Sequence, residues 1–214
     1  NYFGDIPKGE KVDSVNIKAA PITESIKGKE YDSNIQLPAL ILAHKTPSMS
    51  ERDAKVLDVI STILSAGKSS RLYKKMVDTN KEALQVASFA RPLEDYSVYS
   101  ILAIPVGKTS LNTLQKSMDE EILKLQTELI SDEDLQKVRN IFENSFVNAN
   151  SSIEGIASTL ARNYMLVGDT NYINKELSII NSITKEDVRR VAKKYLDKNK
   201  RVVIEYLPES QKKN

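Results

Sequence analysis

The chain has 214 residues, 31 basic against 29 acidic for a formal net charge of +2, one histidine and no cysteine. So even a balance argues against a nucleic-acid surface, and the missing cysteines remove any disulfide framework, thiolate nucleophile or thiolate metal ligand. No apolar run approaches a membrane span, and the 40% hydrophobic and 28% charged residues fit an ordinary globular domain with a buried core.

The chain opens on Asn1-Tyr2-Phe3-Gly4 without a Met and without a signal-peptide pattern, and reads as a fragment of a longer protein. Pro7 and Gly9 disfavour a regular element there. Val15 to Lys18 alternates as a short strand, and Ile22 to Ile26 is a weaker candidate. Leu40-Ile41-Leu42-Ala43 reads as a central strand buried on both faces, with Pro38 near its start, where a missing N–H is tolerated. His44 ends that strand in a surface or packing role. No His-x-x-Glu-His or other metal spacing surrounds it, and one His without Cys speaks against a zinc site made by this chain alone.

Ser50-Glu51-Arg52-Asp53 has the form of a capping box opening a helix through Val56, Leu57, Ile60, Ile63 and Leu64. Gly67 ends it, and Ser69 or Ser70 caps a second helix bearing Leu72, Tyr73, Met76 and Val77. Gly67-Lys68-Ser69 is not a phosphate loop. Thr62 stands where the first glycine is required, and a helix rather than a strand precedes the turn.

Ala83 to Ala90 reads as a strand, with Leu84, Val86, Ser88 and Ala90 on one face. Tyr96 to Val106 makes a second, and the short turn between them predicts an antiparallel hairpin. Leu111, Leu114, Met118, Ile122, Leu125 and Leu129 keep helical spacing. Ser131 to Asp134 caps a helix through Leu135, Val138, Phe142 and Phe146. A third helix runs through Ile153, Ile156, Ala157, Leu160, Ala161 and Tyr164 until Gly168, and a short one follows from Tyr172 to Ile180. Thr184 to Asp187 caps the last, through Val188, Val191, Ala192 and Tyr195. Arg201 to Leu207 closes as a strand.

This order lacks strict strand–helix alternation. It predicts an α+β fold in which the strands share one mainly antiparallel sheet and the 53–64 and 111–129 helices lie on one common face. The basic face around Arg189-Arg190 and Lys193-Lys194 reads as a solvated helix face, since no aromatic platform accompanies it. No Ser–His–Asp set can be assembled around the single His44.

Tyr2-Phe3-Gly4-Asp5-Ile6-Pro7-Lys8-Gly9, the strand around Pro38 and Gly67-Lys68-Ser69-Ser70-Arg71-Leu72-Tyr73 together resemble the second domain of an M16 zinc peptidase. That family includes insulinase, pitrilysin and the mitochondrial processing peptidase, and the smaller bacterial members are the most similar. The likeness continues through Ala83 to Phe89, Leu93-Glu94-Asp95 and Thr184 to Leu207. It implies the two-layer α+β sandwich of the M16 and LuxS-like metallohydrolases. Residues 1–12 would be a linker from a preceding domain, 13–208 the domain, and 209–214 a polar tail.

The resemblance implies a parent zinc metallopeptidase whose preceding domain holds Zn2+ through His-x-x-Glu-His and a distal Glu, none of it in these residues. This chain would be the non-catalytic, metal-free domain, helping to enclose a peptide substrate together with that domain or a second M16-like subunit. Many such domains supply an Arg and, seven residues later, a Tyr to hold the substrate backbone. The matching positions here are Val77 and Leu84, whose side chains donate nothing. An inactive M16-like partner subunit, or an assembly module with no catalytic role, is the alternative. The bacterial likeness favours a periplasmic or envelope parent.

Overall fold

The computed structural model describes residues 4–7, 9–10 and 20–212. The Val15–Lys18 strand expectation lies outside them. Five strands form one sheet: β1 (Ile26–Asp32), β2 (Ala39–Thr46), β3 (Ala83–Arg91), β4 (Ser97–Pro105) and β5 (Val202–Pro208), in the order β1-β5-β2-β4-β3. β2 pairs antiparallel with β4 and β5, and β3 with β4, while β1 pairs parallel with β5. The hairpin and the mainly antiparallel α+β sheet are therefore as expected. The first strand is not at Ile22–Ile26 but just after it. β1 carries Lys27, Lys29 and Glu30 and is largely exposed, so it lacks the apolar alternation that marks a strand in sequence. A charged edge of this kind discourages pairing with other chains.

Six α-helices are described: α1 (Arg52–Ser65), α2 (Leu111–Thr127), α3 (Asp132–Ala149), α4 (Ile153–Val167), α5 (Tyr172–Asn181) and α6 (Lys185–Tyr195). Register assigns the core to one face of the sheet. Leu42 stands opposite Ile101 and Val203, Leu40 opposite Ala103, and His44 opposite Tyr99, all of them buried. Val56, Leu57, Ile60 and Leu64 of α1, Leu114, Met118 and Leu125 of α2, and Val188 and Val191 of α6 fill the space above. Both α1 and α2 thus pack on the common face, as the sequence predicted. β2 is central, but it is not buried on both faces. Ile41 and Ala43 are only half-buried, because the helices cover one side.

The turn after α1 differs in detail. Ser50 does not cap α1. The N-cap is Glu51, without a side-chain bond, and Asp53 is held by α6 instead. Gly67 sits at φ 73°, the left-handed conformation expected after a helix. The Ser70 side chain does not cap the next helix, although the Ser70 carbonyl accepts from the Lys74 N–H at 2.9 Å. Its hydroxyl donates to the Gly67 carbonyl at 2.7 Å. The helix that follows is wound wide over Tyr73–Thr79, the Asn80 N–H reaching the Lys75 carbonyl at 2.9 Å, a π-type spacing. Ser131 and Thr184 do cap α3 and α6, Thr184 in a full capping box with Asp187. Gly168 ends α4 at φ 75°.

Candidate functional site

The two positions singled out by resemblance fall at the junction of the wide-wound segment and β3. Val77 is partly buried against the core. Leu84 does not share a face with Val86. The β3–β4 register shifts between Ala83 and Gln85, leaving Leu84 as the extra residue of a bulge, 52% exposed. The Glu82 N–H donates to the Met76 carbonyl at 2.9 Å and fixes the segment to the strand. At this junction Lys75 pairs with Glu120 and Glu121, and Asn80 donates to Glu82. Neither Val77 nor Leu84 can orient a carbonyl.

The residues do not fit a zinc ion. His44 is 1% exposed, inside β2 rather than at a surface end. Neither ring nitrogen makes a hydrogen bond of normal geometry. Burial, helped by the Arg201 charge, pulls its pKa from 6.5 to about 4. Asp119, Asp197 and the nearby Tyr195 backbone oppose that weakly. His44 is thus a neutral core residue. Among the described residues, no group of three or more His, Cys, Asp or Glu could hold a metal.

Two surfaces remain without a covering among the described residues. The apolar stripe of α4 was expected to be buried, yet Ile153 is 89% exposed, Tyr164 68%, and Ile156 and Met165 are also exposed. α4 instead buries Thr159 and Asn163. Helical periodicity found the stripe correctly, but not its partner, because nothing among the described residues covers it. The second surface is the sheet face opposite the helices, where Ile41, Val98, Leu102 and Ile104 are half-buried and Phe89 is exposed.

A small cavity of about 230 Å³ opens between the sheet and helices α1, α4 and α5. Lys55 and Glu176 form an ion pair at 2.8 Å in its wall, and Asp58, Arg162, Thr46 and Asn163 also line it. No sequence motif marks this cavity, since these residues come from four separate elements.

The basic face of α6 is the inner wall of an ion-pair network, not a nucleic-acid patch. Arg190 and Lys194 both reach Asp53, and Arg52 reaches Asp187 at 2.9 Å. Arg52, first among the causes, holds the Asp187 carboxyl well below the usual carboxylate range.

A five-stranded sheet with its helices on one face and an apolar helix stripe left outward define an α+β domain of two layers. Residues 1–142 match the family described as the Peptidase M16 inactive domain, and the chain belongs to that family. A Helicobacter pylori protein named zinc protease PqqE is 26% identical over 165 residues, 77% of this chain and 37% of the relative. The crystal structure of a protease from H. pylori superposes with a TM-score of 0.85 at 22% identity, covering 94% of this chain and 48% of that one. An inactive peptidase domain from Bordetella parapertussis gives 0.73 at 21% identity, over 83% of this chain and 94% of that one. The chain therefore spans about half or less of the length of these H. pylori matches. No helix among the described residues is long and apolar enough to cross a membrane.

Proposed function

We propose that this chain serves as the structural second half of a zinc peptidase, docking through α4 and helping to wall the chamber that holds an unfolded peptide. The outward apolar stripe of α4 carries the reading. A helix that turns Ile153, Ile156 and Tyr164 to water and Asn163 inward is oriented for a partner beyond this chain. In the parent, that partner is a preceding domain holding Zn2+, or a second M16-like subunit, and the uncovered sheet face looks toward the peptide. A bacterial periplasmic or envelope setting accords with this reading, and the cysteine-free composition tolerates either redox environment.

Because Val77 and Leu84 cannot clamp a substrate backbone, an active assembly draws its Arg and Tyr from another subunit. Size-exclusion chromatography and peptide hydrolysis of the full-length parent test both points. Ile156→Asp with Tyr164→Asp is expected to break the assembly while leaving the fold of this domain intact. The parent alone is expected to hydrolyse peptide weakly, and to gain activity on mixing with a related subunit bearing Arg and Tyr. Assembly unchanged by the α4 substitutions, or full activity in a monomeric parent, would show that the roles are otherwise.

A further inference from the structure

The cavity between the sheet and helices α1, α4 and α5 plays no part in docking, yet its wall holds polar groups that the protein leaves unanswered. The Thr46 hydroxyl and the Asn163 amide nitrogen belong to residues 3% and 5% exposed, and neither atom has a hydrogen-bond partner. Buried polar atoms of this kind are rare in native folds because each forfeits its hydration. The Asp58 carboxylate receives no hydrogen bond among the described residues, and Arg162 makes no ion pair there. Lys55 and Glu176 form a direct ion pair whose charges also act on Asp58 through space, with the Lys55 ammonium 5.7 Å from the centre of the Tyr172 ring. Besides that ion pair, the lining offers one carboxylate, one guanidinium and the neutral polar groups of Thr46, Asn163, Ser97 and Tyr172, with Leu57, Leu166 and Val167 among its apolar residues.

This set selects by charge. A simple anion would leave Asp58 unanswered, and a simple cation would leave Arg162 so. A metal ion would find Asp58 alone, since Glu176 is taken. We propose that the cavity binds a small zwitterion, an α-amino acid with an apolar side chain. Its carboxylate meets Arg162, the Asn163 amide and the Thr46 hydroxyl; its ammonium meets Asp58; its side chain lies against Leu57, Leu166 and Val167. The size agrees. About 230 Å³ lies below the ~300–1,000 Å³ of sites for drug-sized ligands and suits a single amino acid. Burial also lifts the Asp58 pKa to about 6, only partly offset by Lys55, so an added cation beside it would favour its charged form.

Isothermal titration of the 214-residue chain with L-leucine tests this, read together with amide NMR shifts. L-leucinamide, which lacks the carboxylate, and 4-methylpentanoate, which lacks the amine, serve as probes of each half. Saturable one-to-one binding by leucine is expected, with shifts centred on Thr46, Asp58 and Asn163. Either probe, and either Asp58→Asn or Arg162→Gln, should bind roughly tenfold more weakly or worse, the scale of losing one charged hydrogen bond. The two probes act on the unaltered protein, so a misfolded variant does not spoil the result. No saturable binding at ~10 mM, leucinamide binding as tightly as leucine, or shifts confined to another surface would overturn the proposal.

Discussion

Arg190 of α6 grips both carboxylate oxygens of Asp53 in α1, at 2.8 and 3.1 Å, and Lys194 and the Tyr195 hydroxyl reach the same carboxylate at 3.2 Å. Asp53 is the inner member, its side chain 14% exposed against 48% for Arg190. Its hydrogen bonds, that from Arg190 foremost, hold its pKa below the usual carboxylate value. Asp53→Ala is expected to cost about 1–3 kcal/mol in urea unfolding, the range for hydrogen bonds to a charged group. Arg190→Ala should cost less than about 1 kcal/mol, because an exposed guanidinium is screened by solvent. The Asp53 contribution is present above the unfolded carboxylate pKa and fades as pH falls below about 4. Equal losses for the two substitutions would contradict this.

A second expectation concerns Arg201, 2% exposed and paired with Asp119, its second nitrogen at 2.8 Å. Asp119→Ala strands a buried guanidinium and should cost about 3 kcal/mol. Arg201→Met combined with Asp119→Leu should recover most of that loss, since the unpaired charge is gone. Thermal unfolding of the single and double variants decides it. A double variant no better than Asp119→Ala would mean that the pair supports the fold by more than neutralising itself.

His44 and Asp58 pull stability in opposite directions with pH. His44 has its pKa depressed to about 4, so the unfolded chain takes up a proton near 6.5 before the folded one does. Stability from His44 is lost as pH falls from about 6.5 to about 4. Asp58, raised to about 6 by burial between Lys55 and Glu176, keeps its proton longer when folded. Stability from Asp58 is lost as pH rises from about 4 to about 6. The wild-type profile should therefore be flat across this window. His44→Gln should gain relative to wild type toward pH 4, and Asp58→Asn toward pH 7, each by up to about 3 kcal/mol. Urea unfolding at several pH values gives the answer, and variant curves parallel to wild type would refute it.

Val77 and Leu84 separate cleanly in stability. Val77→Ala removes a methyl pair packed on the core and should cost about 0.5–2 kcal/mol. Leu84→Ala, at an exposed bulge, should stay within about 0.5 kcal/mol. A larger effect at Leu84 in the full-length parent than in this chain would place a partner against it.

Long strictly periodic segments were readable in the sequence because one buried face suffices to write them: α1, α2, α6, β4 and the β3–β4 hairpin. β1 was misplaced because an exposed edge strand needs no apolar alternation. Leu84 was put on the wrong face because one inserted residue turns a side chain over, and no composition marks a bulge. α4 shows a different limit. Its periodicity is real, but periodicity says which side is apolar, not whether the cover lies in the same chain. The cavity was not legible, since Thr46, Asp58 and Asn163 meet only through packing.

The position of β5 has a consequence for how the protein is made. β5, the last of the five described strands in chain order, is inserted between β1 and β2, the first two. Until it arrives, β1 has no neighbour and β2 shows a bare hydrogen-bonding edge of the adhesive kind. A nascent or clipped chain that stops short of Pro208 is thus not a smaller domain but an open one. Sheet closure is delayed until synthesis of the strand is complete, a long-range pairing that is slow by nature. The fold in effect certifies that β5 has been translated, and a product interrupted before it stays exposed to proteases and chaperones.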